Sequence, residues 1–518
     1  MYRQAINVYY MKVKISKRTN IYEKISELIK SNLFFKLSLI IYFINSAWIA
    51  VSALYPMAFD EQYHLGIIRL YSDKLTPFWS ANPNGEAVYG AVARDPSYIY
   101  HYLLSFPYRI IELLFRSEML QVLVLRFINI LIFGFGIWIF RKVLLNSKVS
   151  KIITNSVLLV FILTPLTTLL AAQINYDNLL FLILALLLLK TQNFTQQVKA
   201  TKQFNPRDFI TIAIMCIFGS LVKYAFLPIA LAVVVYLFFY LTKYLNYKKS
   251  IPEIFIKPFM KYQLVTKVVL VLGFLVMFGL FSERYVINTI KYKTPTPECN
   301  QVLSVDECLA YGPWRRNYYT HKAKVENKLE KIYSNSFPRY LVTLWISQST
   351  YQLFFTIDGA THDFKVGEAY RINRNGSIIL FSVGSLLFLA QYHRVRKKYI
   401  FGMFYLVMFL YLLALIAQNY LDFVNLGYPF AIQGRYLVPI LPILYTLFGV
   451  SFNMLLKKYD KVKISLISGL FLIMITQGGG AGTFILRSSD AWYWQKTYPK
   501  KINHYARNVL KPLTIEQD

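Results

Sequence analysis

Apolar runs suited to crossing a bilayer recur along the whole chain, parted by short polar stretches that are mostly basic. They fall near residues 34–55, 120–140, 152–172, 179–189, 209–221, 225–241, 268–281, 377–391, 401–419, 437–456 and 464–486. The pattern predicts an all-α polytopic membrane protein of about 11 transmembrane helices. Residues 56–119 interrupt it with a periodicity of their own. His64, Ile67, Ile68 and Tyr71 repeat at helical spacing, a Pro/Asn/Gly-rich turn covers 76–85, and a second periodic stretch begins at Asp95. Both stretches are too polar to cross and apolar enough to lie in the interface.

Basic residues fix the expected orientation. Residues 1–33 form a basic N-terminus placed in the cytoplasm, and the 56–119 loop then emerges outside. The rest divides into an N-terminal transmembrane module (34–281), a long extracytoplasmic loop (282–376), C-terminal transmembrane helices (377–486) and an extracytoplasmic tail (487–518). Within the 282–376 loop, Val325, Leu329 and Ile332 give one amphipathic stripe. The break at Val222-Lys223-Tyr224 admits two geometries. Two separate helices would put Lys223 at the outer mouth, and one kinked helix would bury it; the parity of the remaining loops favours two helices. The turn 173–178 is expected to dip below the interface, and 190–207 to form an inner loop.

Composition narrows the class. With 56% hydrophobic and 17% aromatic residues, the chain is too apolar for a soluble enzyme. A net charge of +31 could signal nucleic acid, but the basic residues sit in the short loops, where they orient the chain and meet anionic lipid. The expected partners therefore include membrane lipids and no nucleic acid, and the expected location is the plasma (inner) membrane. Cys216 lies in an apolar run and reads as packing, whereas Cys299 and Cys308 suit a disulfide if their loop faces an oxidising space.

The candidate chemistry gathers in the loops assigned to the outer face: Asp60, Glu61, His64, Arg94, Asp95, Asp177, Lys223, Asp358, Asp363, Asp422 and Arg435. Asp60 either caps the helix that starts at Glu61 or serves a site, because acid pairs held at a membrane face are costly. Arg435, at the top of a crossing, either snorkels to lipid phosphate or binds a phosphate that arrives in the membrane plane, helped by Lys223. The run 478–482 lacks the strand and the Lys-Ser/Thr of a phosphate loop and suits close helix packing. Trp48, Trp138, Trp345, Trp492 and Trp494 read mostly as an interfacial belt, and Thr361-His362-Asp363 as a weak metal signal.

Asp60-Glu61-Gln62-Tyr63-His64 after the first crossing, the Asn175-Tyr176-Asp177 turn and the late Gly434-Arg435-Tyr436-Leu437-Val438-Pro439 stretch together resemble the GT-C superfamily of membrane glycosyltransferases. The nearest likeness is to a bacterial family of membrane proteins marked by Asp-Glu-x-x-His after the first helix. The resemblance implies transfer of a sugar from a polyprenyl-phosphate-linked donor to an envelope glycan, lipid or protein acceptor, as in polysaccharide biosynthesis of the cell envelope. It implies an inverting reaction with Asp60 as general base, Glu61 and His64 positioning it or the acceptor, and Arg435, Lys223 and Tyr436 binding the donor phosphate. Arg94, Asp95 and Asp177 would support the acceptor or the loop. No metal ligands are assigned, and a divalent metal ion as cofactor is left open. Phe59 stands where a proline or small residue is expected, and the large outer domain of many relatives is missing or reduced. The alternative is a transporter or flippase of lipid-linked envelope precursors, which would show internal repeats and ionisable groups at mid-bilayer.

Overall fold

A computed structural model describes residues 21–57, 60–83, 87–245, 252–326, 336–354, 371–398, 401–476, 478–487, 490–495 and 497–510. A short helix, Ile21–Lys30, leads into α1 (Asn32–Ser52), whose first turn is capped by the Ser31 hydroxyl accepting from the Phe34 amide. Next come α2 (Glu61–Ser72) and α3 (Ile99–Leu114), packed on each other. His64, Ile67, Ile68 and Tyr71 are all buried, so the spacing read from the sequence is the face α2 turns inward.

α4 (Glu118–Asn146) is followed by α5 (Lys151–Leu163) and α6 (Pro165–Ala171), which meet at 69°. Pro165 explains the bend. It has no amide for the helical ladder and keeps Thr164 in an extended conformation (φ −62°, ψ 115°). α7 (Tyr176–Thr201) is capped by Asn175 and α8 (Pro206–Val222) by Asn205, and α9 (Leu227–Tyr244) comes after a short break. Further along lie α10 (Gly312–Val325), α11 (Gly402–Leu426) and α12 (Leu441–Leu455). The centre is α4 against α7, where Phe133 and Phe181 stack at 4.5 Å. A Cβ on Gly136 would come within 2.7 Å of the Phe181 ring, so glycine is what lets these two backbones close.

Among the described residues six helices are long and apolar enough to cross a membrane, or seven if α5 and α6 are one broken span. The described chain is all-helical and membrane-embedded, with one isolated antiparallel bridge between Ala53 and Tyr493. The count falls short of eleven for a physical reason. Of the four expected crossings outside this count, α8, α12 and the helix Asp460–Thr476 have 17, 15 and 17 residues, at or below the lower limit for a crossing by regular helix, and 377–391 lies within the 28-residue helix Arg371–Lys398.

Several boundaries also move. Residues 190–201 are helical rather than loop, and the run 464–486 divides into Asp460–Thr476 and Gly482–Arg487. Between them Gly478 and Gly480 take φ of +98° and +63°, while the amides of Gly480 and Ala481 bond to the Leu163 carbonyl and the Asn45 side chain. The glycine run is thus a turn pinned to α1 and α5. Two tryptophans read as belt residues bond within the protein instead, Trp48 to Asn503 and Trp345 to Asn419. Leu329, Ile332, Asp358 and Thr361-His362-Asp363 lie outside the described residues.

Polar contacts sort the connections onto two ends. At one, Arg141 bonds Asn32 and Asn155, and Lys190 pairs with Asp208. At the other, the segments around residues 60, 94, 177, 223, 284 and 435 converge. That second end holds the site.

Candidate functional site

The site starts from a backbone feature. Asp60 has φ +67° and ψ +25°, the left-handed region that Asp tolerates better than most residues. In this conformation its side chain makes no capping bond to α2, which removes the capping explanation for it. The carboxylate instead accepts from Arg435 Nη2 at 2.7 Å, across 375 positions of sequence. The two partners are unequally covered: the Asp60 side chain is 55% exposed and that of Arg435 4%. Asp60 is held but reachable.

Arg435 is placed by its neighbours. Gly434 opens a short 3₁₀ turn, Gly434–Leu437, and its amide donates to the Gln352 side chain at 2.8 Å. A Cβ there would lie 2.9 Å from the Ser349 carbonyl, so the approach of helix Ser347–Phe354 needs glycine. Tyr411 donates to the Tyr436 carbonyl at 2.7 Å, and Arg435 lies over the Tyr436 ring at 5.1 Å with its Nη2 3.3 Å from that hydroxyl.

Lys223 resolves the question its sequence posed in an unexpected way. It sits in extended backbone between two separate helices, α8 and the turn before α9, and it is buried as well. Its ammonium pairs with Asp177 at 2.7 Å and faces the rings of Tyr176 at 4.4 Å and Tyr436 at 4.8 Å. Asp177 lies in the first turn of α7, where a carboxylate also meets the positive end of the helix dipole. The 173–178 turn is buried apart from Tyr176, which is half-buried. Arg435, Tyr436, Lys223 and Tyr176 therefore form one continuous floor beside Asp60, of two aromatic rings and two cations that each carry an acidic partner.

Glu61 and His64 stand behind that floor. Glu61 is fully buried and accepts from Arg126 Nε at 2.8 Å and Nη2 at 2.7 Å, from the Met57 amide at 2.7 Å and from the Ile174 amide at 3.2 Å. Its acceptor positions are filled, so it ties four segments together and touches nothing in the open site. His64 Nδ1 lies 2.9 Å from His101 Nε2, and its ring meets Tyr176 edge-on at 4.5 Å. Burial pushes the His64 imidazole well below its ordinary range, with His101, Arg435 and Lys223 adding to the shift. Burial likewise pushes His101 down to about 3. Both rings are neutral near pH 7.

The remaining expected residues lie to one side. Arg94 pairs with Glu283 at 3.0 Å and stays apart from the cationic floor. Asp95 accepts from the Tyr63 hydroxyl at 3.1 Å and the Ser97 amide at 2.8 Å, and burial pushes its carboxyl up. Cys299 and Cys308 are joined in a disulfide with Cα atoms 5.8 Å apart.

No protein-family model matches this chain, and no curated protein matches it significantly. Function has to be argued from the site itself.

Among the described residues no group of three or more His, Cys, Asp or Glu side chains is placed to hold a metal ion. Asp60 and Asp177 each face a cation instead, so no step is assigned to a metal. Two residues that complete the site, Arg126 and His101, belong to no motif, and Tyr176 sits in the Asn175-Tyr176-Asp177 turn without having been singled out there. Arg126 had a usable signal, a lone charge within an apolar run. His101 had none, because its importance comes from what packs against it.

Proposed function

We propose that the chain is a membrane glycosyltransferase that moves a sugar from a polyprenyl-phosphate-linked donor to an acceptor on the outer face of the plasma membrane, with a GT-C-like fold. The observation that carries this reading is the half-exposed Asp60 carboxylate held against the buried Arg435 guanidinium, with Lys223 beyond it. Sugar transfer from a lipid phosphate needs a base for the acceptor hydroxyl and cations for the departing phosphate, side by side. In the proposed step the acceptor oxygen attacks the anomeric carbon while its proton passes to Asp60. The bond from that carbon to the phosphate oxygen breaks, and polyprenyl phosphate leaves with the electron pair toward Arg435. A donor phosphate competing for Arg435 would also release Asp60 for its role. One carboxylate suffices for such an inverting displacement, which agrees with Glu61 being fully engaged elsewhere.

The test is sugar transfer by the purified chain in nanodiscs, measured together with donor binding. Asp60→Asn should keep donor binding and lose transfer. Movement of lipid-linked donor across the bilayer without any transfer to acceptor would reject the enzyme in favour of a transporter.

A further inference from the structure

Beside the cationic floor opens a cleft of about 840 Å³ that the proposed step does not yet use. Its size lies within the range of small-molecule sites, about 300–1,000 Å³. α10 supplies one wall, the Tyr63 and Asp95 pair another, and the segment leading into the disulfide a third. Trp314 and Tyr318, one helical turn apart on α10, stack at 5.0 Å with their planes within 19°. Tyr311, a turn earlier, meets Tyr63 at 6.2 Å. Tyr63, in the first turn of α2 just after Asp60, lines the cleft, which places its wall next to the proposed base.

The lining is chemically one-sided. It carries three carboxyl groups, from Asp95, Glu298 and Asp422, amides from Asn300, Asn317 and Asn425, and a single imidazole, His321. No lysine or arginine is among the described lining residues, in a protein whose net charge is +31. Flat aromatic faces bury the apolar faces of sugar rings, while carboxylates and amides accept from and donate to hydroxyls. Glu298, Asp422 and Asp95 give the lining acidic groups with no lysine or arginine among them, although Arg284 acts on Asp95 from outside, and such a lining disfavours phosphate or carboxylate and favours neutral or amino groups. The anion-binding floor and the acid-lined cleft thus suit opposite ligands.

We propose that this cleft binds the acceptor, and that the acceptor is a saccharide without anionic groups, neutral or amino-bearing, stacked on Trp314. The acceptor role rests on the transferase reading. The ligand class rests on the cleft alone.

The experiment uses the full chain in nanodiscs and saturation-transfer NMR with short neutral, amino-bearing and uronate-bearing oligosaccharides, and polyprenyl phosphate as a separate probe. Neutral and amino sugars should bind, with uronates weaker. Trp314→Ala should weaken saccharide binding about tenfold and leave polyprenyl phosphate binding unchanged. Asp422→Asn should narrow the discrimination against uronates, which keeps the proposal testable if Trp314→Ala fails to fold. Equal or tighter uronate binding, an unaffected Trp314→Ala, or binding of a lysine-rich peptide in place of every sugar would overturn it. Saccharide binding without transfer would instead count against the transferase reading and leave the cleft standing.

Discussion

Glu61 and Arg126 form an ion pair in which neither side chain is exposed, and the arginine also donates to the carbonyls of Ala50 at 2.9 Å and Ala53 at 2.6 Å. This clamp fixes the end of α1, the start of α2 and the turn before α7 to α4. Adjacent acids thereby part company. Glu61 is locked inside while Asp60 is turned out toward Arg435.

Glu61→Ala leaves the Arg126 charge buried without its partner. Breaking one side of such a pair typically costs on the order of 3–5 kcal/mol. Thermal unfolding in detergent should show a large loss, and Glu61→Leu with Arg126→Met should recover much of it. A single Glu61→Ala variant as stable as wild type would exclude the clamp.

Asp60→Asn behaves differently. Asn accepts the left-handed backbone, and its amide oxygen keeps one bond to Arg435, so stability should fall by only about 1–2 kcal/mol. Transfer should fall by roughly 10²–10⁴-fold, the usual weight of a general base. Arg435→Ala should chiefly weaken donor binding, by about 10–100-fold, through loss of a charge-assisted contact to phosphate. If Asp60→Asn turns over like wild type, the base lies elsewhere.

The two imidazoles predict a pH dependence. His64 and His101 are both held below their unfolded values, so below about pH 6.5 the unfolded chain takes up protons that the folded chain refuses. Stability is intact above that pH and falls as the medium is acidified toward about 3, where His101 titrates in the fold. The slope should be on the order of 1 kcal/mol per pH unit for each histidine. Melting temperatures between pH 7.5 and 5 should drop in wild type and drop less in His101→Asn. Parallel curves would rule out the pair as the source.

Topology can be read by labelling. Leu75, in the turn after α2, is 77% exposed, and Lys199, near the far end of α7, is also exposed. With the N-terminus inside, an impermeant thiol reagent on intact cells should mark Leu75→Cys and spare Lys199→Cys. The reverse pattern would invert the protein and move the site to the cytoplasmic face.

By itself the sequence determined the class and the raw placement of the chemistry. Bulk hydropathy specifies a helical membrane protein because backbone groups in lipid must be satisfied within their own segment. Helical spacing gave the buried face of α2, while the bend at Pro165, which divides the expected 152–172 crossing, and the Asn175 and Asn205 caps were read from the structure. These are local effects, set by residues a turn or two apart. Tertiary structure alone decided which of two neighbouring acids is open, that Lys223 is both interhelical and buried, and that Asp60 meets Arg435. It also decided that helices as short as 15 residues can belong to the bundle. Each of those outcomes depends on partners 46 to 375 positions away, and on burial energies that no single segment carries.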